Sequence, residues 1–240
     1  PFFAMSTTWN SGQLLFTSLL GAAALVSIID PLYYDWLAPR RWLYLAYHSL
    51  TLFAVMLTAM PIILHLTTPQ SYQLALLLTV LLSFPTLAAS LQFRRRWRWL
   101  PLPLLTAGLL GAGWLARPWV PPATLRLNQV AISLDVNDQT RAPSQSLQQL
   151  SATQLRSQGL YAFTAINAPR GLAERIYHVW KRDGEEVDRI ALNIQGGTQS
   201  GYRAWSHKQN FPQEVVGRWS VEVVTDAGQL IGVLRFAVSP

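Results

Sequence analysis

WLYLAYHSLTLFAVMLTAMPIILHL, the stretch from Trp42 to Leu66, runs for 25 residues without an aspartate, glutamate, lysine or arginine. At the helical rise it extends about 37 Å, enough to cross a hydrocarbon core of about 30 Å. A helix packed into a water-soluble core would carry a polar stripe along one side, and this one carries none. Three further stretches share the character: Gly12 to Ile29, closed by Asp30 and Pro31; Ser71 to Phe93; and Trp99 to Ala116. The first 120 residues are therefore expected to form a membrane bundle of about four helices.

The flanks fit that reading. Trp9, Tyr33, Tyr34, Trp36, Trp42, Trp97, Trp99, Trp114 and Trp119 stand near the ends of the spans, where amphipathic rings favour the headgroup level. Pro61, Pro85, Pro101 and Pro103 fall inside or at the start of spans, where neighbouring helices satisfy freed carbonyls. Residues 94 to 98, Arg-Arg-Arg-Trp-Arg, hold four positive charges, and Arg40 and Arg41 mark an earlier loop. The excess of arginine on cytoplasmic loops places both on the inner side and the uncharged loop Thr67 to Gln70 on the other. Arg117 alone dissents. This alternation puts the segment after Pro121 and Pro122 outside the cytoplasm, most simply in a bacterial periplasm, with the protein in the inner membrane. The chain begins at Pro1 rather than Met, so a preceding piece is expected.

Composition divides at the same place. Half of the 240 residues are hydrophobic and only 13% are charged, against roughly 25% in soluble domains. Residues 1 to 117 hold seven arginines and two acids, Asp30 and Asp35; the remainder holds twelve Lys/Arg and ten Asp/Glu. Of the net charge of +7, then, +5 lies beside apolar segments and only +2 on the polar half, which argues against a nucleic-acid partner. The absence of cysteine excludes disulfides and thiolate metal sites. His48 and His65 lie toward span ends rather than at the midplane, where a transporter places ionisable groups. Gly108, Gly111, Ala112, Gly113 and Ala116 give the fourth span a small-residue face. Such a face permits close helix approach, and homo-oligomerisation through Gly108, Ala112 and Ala116 is the partnership it suggests.

Residues 124 to 240 read as an all-β domain. Short alternating segments run over 125–136, 160–167, 176–182, 187–194, 202–207, 218–224 and 230–238. Turn signals separate them, among them Arg182-Asp183-Gly184, Gly196-Gly197 and Asp226-Ala227-Gly228. About seven strands at this spacing suggest an antiparallel, immunoglobulin-like sandwich. Residues 137 to 158 are polar and mostly connection, with a short helix possible at Gln148 to Ser151.

The run Ile176-Tyr177-His178-Val179-Trp180, the run Gly201 to Ser206 with Lys208, and Gly217-Arg218-Trp219 with Gly228 and Phe236 form a pattern. It resembles the C-terminal module of an uncharacterised bacterial family, the domain of unknown function DUF2914, over Leu160 to Val238. The resemblance implies a fold and a position behind membrane helices. It implies no activity, so it carries no catalytic residue.

The residues themselves offer a recognition surface. Period two places Ile176, His178, Trp180 and Arg182 on one strand face, and Arg203, Trp205 and His207 on another. If exposed side by side, His178, Arg182, Arg203, Trp205, His207 and Lys208 would suit sugar rings and anions. The competing reading makes Trp180 and Trp219 core tryptophans packed between sheets. Ser206, His178 or His207, and Asp183 or Asp188 can be drawn as a triad, but no nucleophile elbow supports it. His178 and His207 lack metal-ligand spacing, and Gly196-Gly197 opens no phosphate loop. No catalytic, cofactor or metal residue is assigned. The expectation is a membrane-tethered periplasmic binding module for an envelope protein, a glycan or peptidoglycan. The alternative is a subunit or scaffold of a transporter or channel, with an enzyme least favoured.

Overall fold

The computed structural model describes residues 2–9, 11–90, 101–137, 139 and 142–240. The arginine cluster of residues 94 to 98 lies outside them. The described chain divides into two compact units: Trp9–Pro121, and Pro122–Pro240 together with the N-terminal segment up to Thr8.

The first unit is helical. Its helices are α2 (Gln13–Ile28), α3 (Arg41–Ile63), α4 (Thr68–Ser90) and α5 (Pro101–Leu115); α1 (Phe2–Ser6) belongs to the other unit. α3 and α4 are long and apolar enough to cross a membrane, whereas α2 and α5, at 16 and 15 residues, are shorter apolar helices. Only 17% of the most apolar stretch of α3 and 22% of that of α4 is buried. A core helix of a soluble protein would be mostly covered; these leave Leu43, Val55, Ile62, Leu77, Leu81 and Leu82 exposed. Several polar side chains inside the unit pair with each other or with the backbone. Ser49 Oγ and Ser83 Oγ lie 2.7 Å apart between α3 and α4, and Tyr72 Oη donates to the Gly113 carbonyl at 2.6 Å. Gly113 permits that approach, because a Cβ there would meet Leu76 Cδ1 at 2.5 Å, while Gly108 and Gly111 face nothing within 4 Å.

The second unit is built from two main sheets. β1 (Arg126–Ser133), β5 (Leu160–Asn167) and β8 (Tyr202–Lys208) form a three-stranded sheet in the order β1-β5-β8. β4 (Gln149–Ser151), β6 (Ala173–Arg182), β7 (Glu185–Gln195), β9 (Gly217–Thr225) and β10 (Leu230–Ser239) form a five-stranded sheet in the order β4-β10-β9-β6-β7. A small ladder joins β2 (Val136–Asn137) to β3 (Ala142–Pro143). Alternation along β5, β6, β9 and β10 turns Leu160, Ala162, Ile166, Ile176, Trp180, Trp219, Val221, Leu234 and Phe236 into one shared core. Trp180 and Trp219 are both core tryptophans, at 0% and 1% exposure.

Two features depart from the expected arrangement. β4 pairs with β10 in parallel, Leu150 opposite Val238. The short helix falls after the Gln-Ser stretch, as α6 (Ala152–Gln158), and not on it. Ser151 supplies a capping box: its Oγ accepts from the Gln154 amide while Gln154 Oε1 accepts from the Ser151 amide. The β6–β7 connection is a tight hairpin in which Asp183 and Gly184 both take positive φ, +50° and +96°, as a two-residue turn of this kind requires.

Candidate functional site

The six residues expected to share a surface are distributed over three places. His178 is fully buried, because the face of β6 it shares with Ile176 and Trp180 is the inner one. Its Nδ1 lies 2.9 Å from Ser206 Oγ on β8 and its Nε2 lies 3.2 Å from Thr164 Oγ1 on β5. Thr164 Oγ1 in turn donates to the Ala204 carbonyl at 3.2 Å. One proton arrangement satisfies the chain: Ser206 donates to Nδ1, Nε2–H donates to Thr164 Oγ1, and the Thr164 hydroxyl donates to the Ala204 carbonyl. The imidazole is thus neutral, and burial pushes its pKa down from 6.5 to about 3. The Ser206–His178 contact has the reach of a nucleophile–base pair, yet both groups are sealed, and the other ring nitrogen meets a hydroxyl instead of a carboxylate. What the three groups do is join the two sheets.

Lys208 is also interior. Its ammonium donates to Asp188 Oδ2 at 2.5 Å and lies 5.4 Å from the centre of the Phe211 ring. That hydrogen bond holds the Asp188 carboxyl below its usual range. Arg182 is half-buried and held by the Glu214 carbonyl, with the Glu214 carboxylate at 3.8 Å. The expected platform of His178, Arg182 and Lys208 beside the β8 residues is therefore not formed: these three point inward or are spent on neighbours.

Arg203, Trp205 and His207 do share the outer face of β8. Arg203 is exposed and the other two are half-buried. The sequence reading missed their companion Tyr161, whose ring stacks on His207 at 3.9 Å with 2° between planes. Register could have found it, since Tyr161 stands directly opposite His207. Gly159, at φ +73°, makes room here: a Cβ would stand 2.8 Å from His207 Nε2. Trp205 packs on a second small cluster of Phe163, Ala131 and Ala165. α1 lies against β1 nearby, with Arg126 Nη1 3.6 Å from the Met5 sulfur.

The outer face of the five-stranded sheet carries a different arrangement. Lys181 pairs with Glu222 at 2.8 Å, Arg189 with Glu186 at 3.0 Å, and Tyr177 donates to Asp226 at 2.8 Å. Beyond these pairs lies an open concavity of about 970 Å³, with Gln149, Arg218, Ser220 and Arg235 in its lining.

Among the described residues no three His, Asp or Glu side chains converge as metal ligands. Residues 1–162 match the model of a family of unknown function, DUF5924. The chain belongs to the DUF5924 family. Residues 173–238 match a second model, the protein of unknown function DUF2914, so the C-terminal resemblance holds, starting at residue 173 rather than 160. No curated protein matches the chain. The DUF5924 match extends past the helices through β1, β4, α6 and the start of β5, while DUF2914 covers β6 to β10.

Proposed function

We propose that this DUF5924 chain is a multi-pass membrane protein that holds an immunoglobulin-like sandwich in the bacterial periplasm as a binding module. The observation that carries the reading is the contrast in burial. α3 and α4 bury few of their apolar residues fully and expose others outright, among them Val55, Ile62, Ile63, Leu77, Leu81 and Leu82, which in water would be a liability. The second unit instead buries Trp180 and Trp219 almost completely and exposes guanidinium, amide and aromatic groups suited to recognition. All four helices α2 to α5 cross in this reading. α2, about 24 Å long, and α5, about 22 Å, are accommodated by local thinning of the bilayer.

Two further facts support the orientation. The seven arginines of residues 1 to 117 fall mainly on two loops on one side. The N-terminal segment belongs to the same compact unit as the β domain, which fits an even number of crossings between them. Alkaline phosphatase fused after Pro240 is expected to be active, and the same enzyme fused after Arg98 inactive. Phosphatase inactive after Pro240, with a fluorescent cytoplasmic reporter active there, overturns the periplasmic placement.

A further inference from the structure

We infer that the concavity on the outer face of the five-stranded sheet is a phosphate-type oxyanion site formed by Arg218 and Arg235. The inference adds a ligand class to the binding reading and does not depend on which side of the membrane the domain occupies.

The site follows from two rows of residues across the sheet. In one row β4, β10 and β9 present Gln149, Ala237 and Arg218; in the next, β10, β9 and β6 present Arg235, Ser220 and Lys181. Ala237 and Ser220 are small, and the long side chains of Gln149, Arg218 and Arg235 rise around them, which makes the depression. Its floor is rigid, because the residues between these positions, Trp219 and Phe236, point the other way and are buried with their rings stacked 6.1 Å apart.

Charge distinguishes this end of the face. Lys181 and Arg189 are neutralised by Glu222 and Glu186, whereas no ion pair reaches Arg218 or Arg235 among the described residues. The two stand on adjacent strands at diagonal positions, where Cβ atoms are about 7 Å apart. At that spacing two long, exposed guanidinium side chains can reach a single anion lying between them. Asp183 is the one acid in the lining; its Oδ1 accepts from the Arg218 backbone amide at 3.2 Å, so it secures the hairpin at the rim. Arg175 is also exposed on this face but stands toward the far end of β6, without a second cation beside it.

The donor set exceeds what a carboxylate can use. Two guanidinium forks, the Ser220 hydroxyl and the Gln149 amide match the three or four oxygens of a phosphate group. The volume leaves room for more than the anion alone, so a phosphomonoester of a small polyol or sugar fits better than free phosphate. The same group can come from a soluble molecule or from a lipid headgroup.

Titration calorimetry of the full chain in phosphatidylcholine nanodiscs tests this, with inorganic phosphate, glycerol phosphate and acetate as probes. Saturable binding of both phosphates, stronger than that of acetate, is expected. Arg218→Ala and Arg235→Ala should each weaken it about tenfold or more, the loss typical of one charged hydrogen bond. Arg203→Ala, on the other sheet, should leave it unchanged, and unaltered melting of the variants shows that they fold. Adding phosphatidylglycerol to the discs should lower wild-type phosphate affinity if a headgroup is the natural occupant, and leave it unchanged if the ligand is soluble. No saturable phosphate binding by the folded protein, or equal binding by Arg203→Ala and the Arg218/Arg235 variants, overturns the site.

Discussion

His178 is held uncharged by where its side chain lies. Charging it would put an imidazolium between two sheets with no carboxylate to meet it, and its pKa accordingly falls to about 3. In the unfolded chain the same ring takes a proton near pH 6.5. The contribution to stability is therefore complete above about pH 6.5 and is lost progressively as pH falls toward 3, at about 1.4 kcal/mol per unit. Between pH 7 and pH 5 the domain should lose about 2 kcal/mol on this account. Thermal melts of the full chain in neutral detergent should show that loss, and His178→Gln, less stable at pH 7, should show a flatter pH dependence. Titration of the His178 resonance near pH 6.5 in the folded protein, identified by its loss in His178→Gln, would show that water reaches the ring. Alternation in the sequence says which residues share a face and not which way the face looks. Trp180, two positions along, was the clue that this face looks inward: the reading that makes Trp180 a core tryptophan carries His178 inside with it.

At the scale of elements, the β9–β10 hairpin shows the same alternation with opposite consequences on its two sides. Trp219 stands opposite Phe236 and donates from Nε1 to the Val215 carbonyl at 2.7 Å. Cutting it to alanine removes a large buried ring, leaves a cavity and strands that carbonyl, at a cost of about 3–5 kcal/mol. Arg235→Ala, one position from Phe236 and facing solvent, should cost within about 0.5 kcal/mol. Chemical unfolding followed by near-ultraviolet circular dichroism checks the pair, and equal midpoints would mean the faces are reversed. This hairpin was legible because turn residues, alternation and length agree. β4 and α6 were not: Gln149-Leu150-Ser151 is too short to show a period, and its partner β10 lies some 90 residues away in sequence. The capping signal Ser151-x-x-Gln154 was present, but with seven residues to follow it carries little weight by itself. The arginine site was invisible for a similar reason. Arg218 and Arg235 become neighbours only once the register of β9 on β10 is known.

For the whole molecule, the two family segments and the folded units do not share boundaries. Among the described residues, nine of the 21 in the main core precede residue 173: Leu125, Ile132, Leu150, Leu155, Leu160, Ala162, Ile166, Ala168 and Leu172. They come from β1, β4, α6, β5 and the loops beside them, and they cover the inner face of the five-stranded sheet. The stretch matching DUF2914 alone would keep that sheet nearly whole but retain only β8 of the opposite one. Ile176, Trp180, Val221, Leu234 and Phe236 would then face water. Each such side chain is worth about 1.5–3 kcal/mol when buried, so losing the cover of five exceeds most of the 5–15 kcal/mol by which a domain is stable. The folding unit should therefore begin near Pro122 and not at residue 173, even though the sequence match begins there. A fragment of residues 122–240 should give a strand-rich circular dichroism spectrum and melt cooperatively. A fragment of residues 173–240 should show no cooperative melt and should bind a dye specific for exposed apolar surface. Cooperative unfolding of the shorter fragment would mean that β6 to β10 find another way to cover Trp180 and Phe236, and that the sheet of β1, β5 and β8 is an addition to an independent domain and not half of its core.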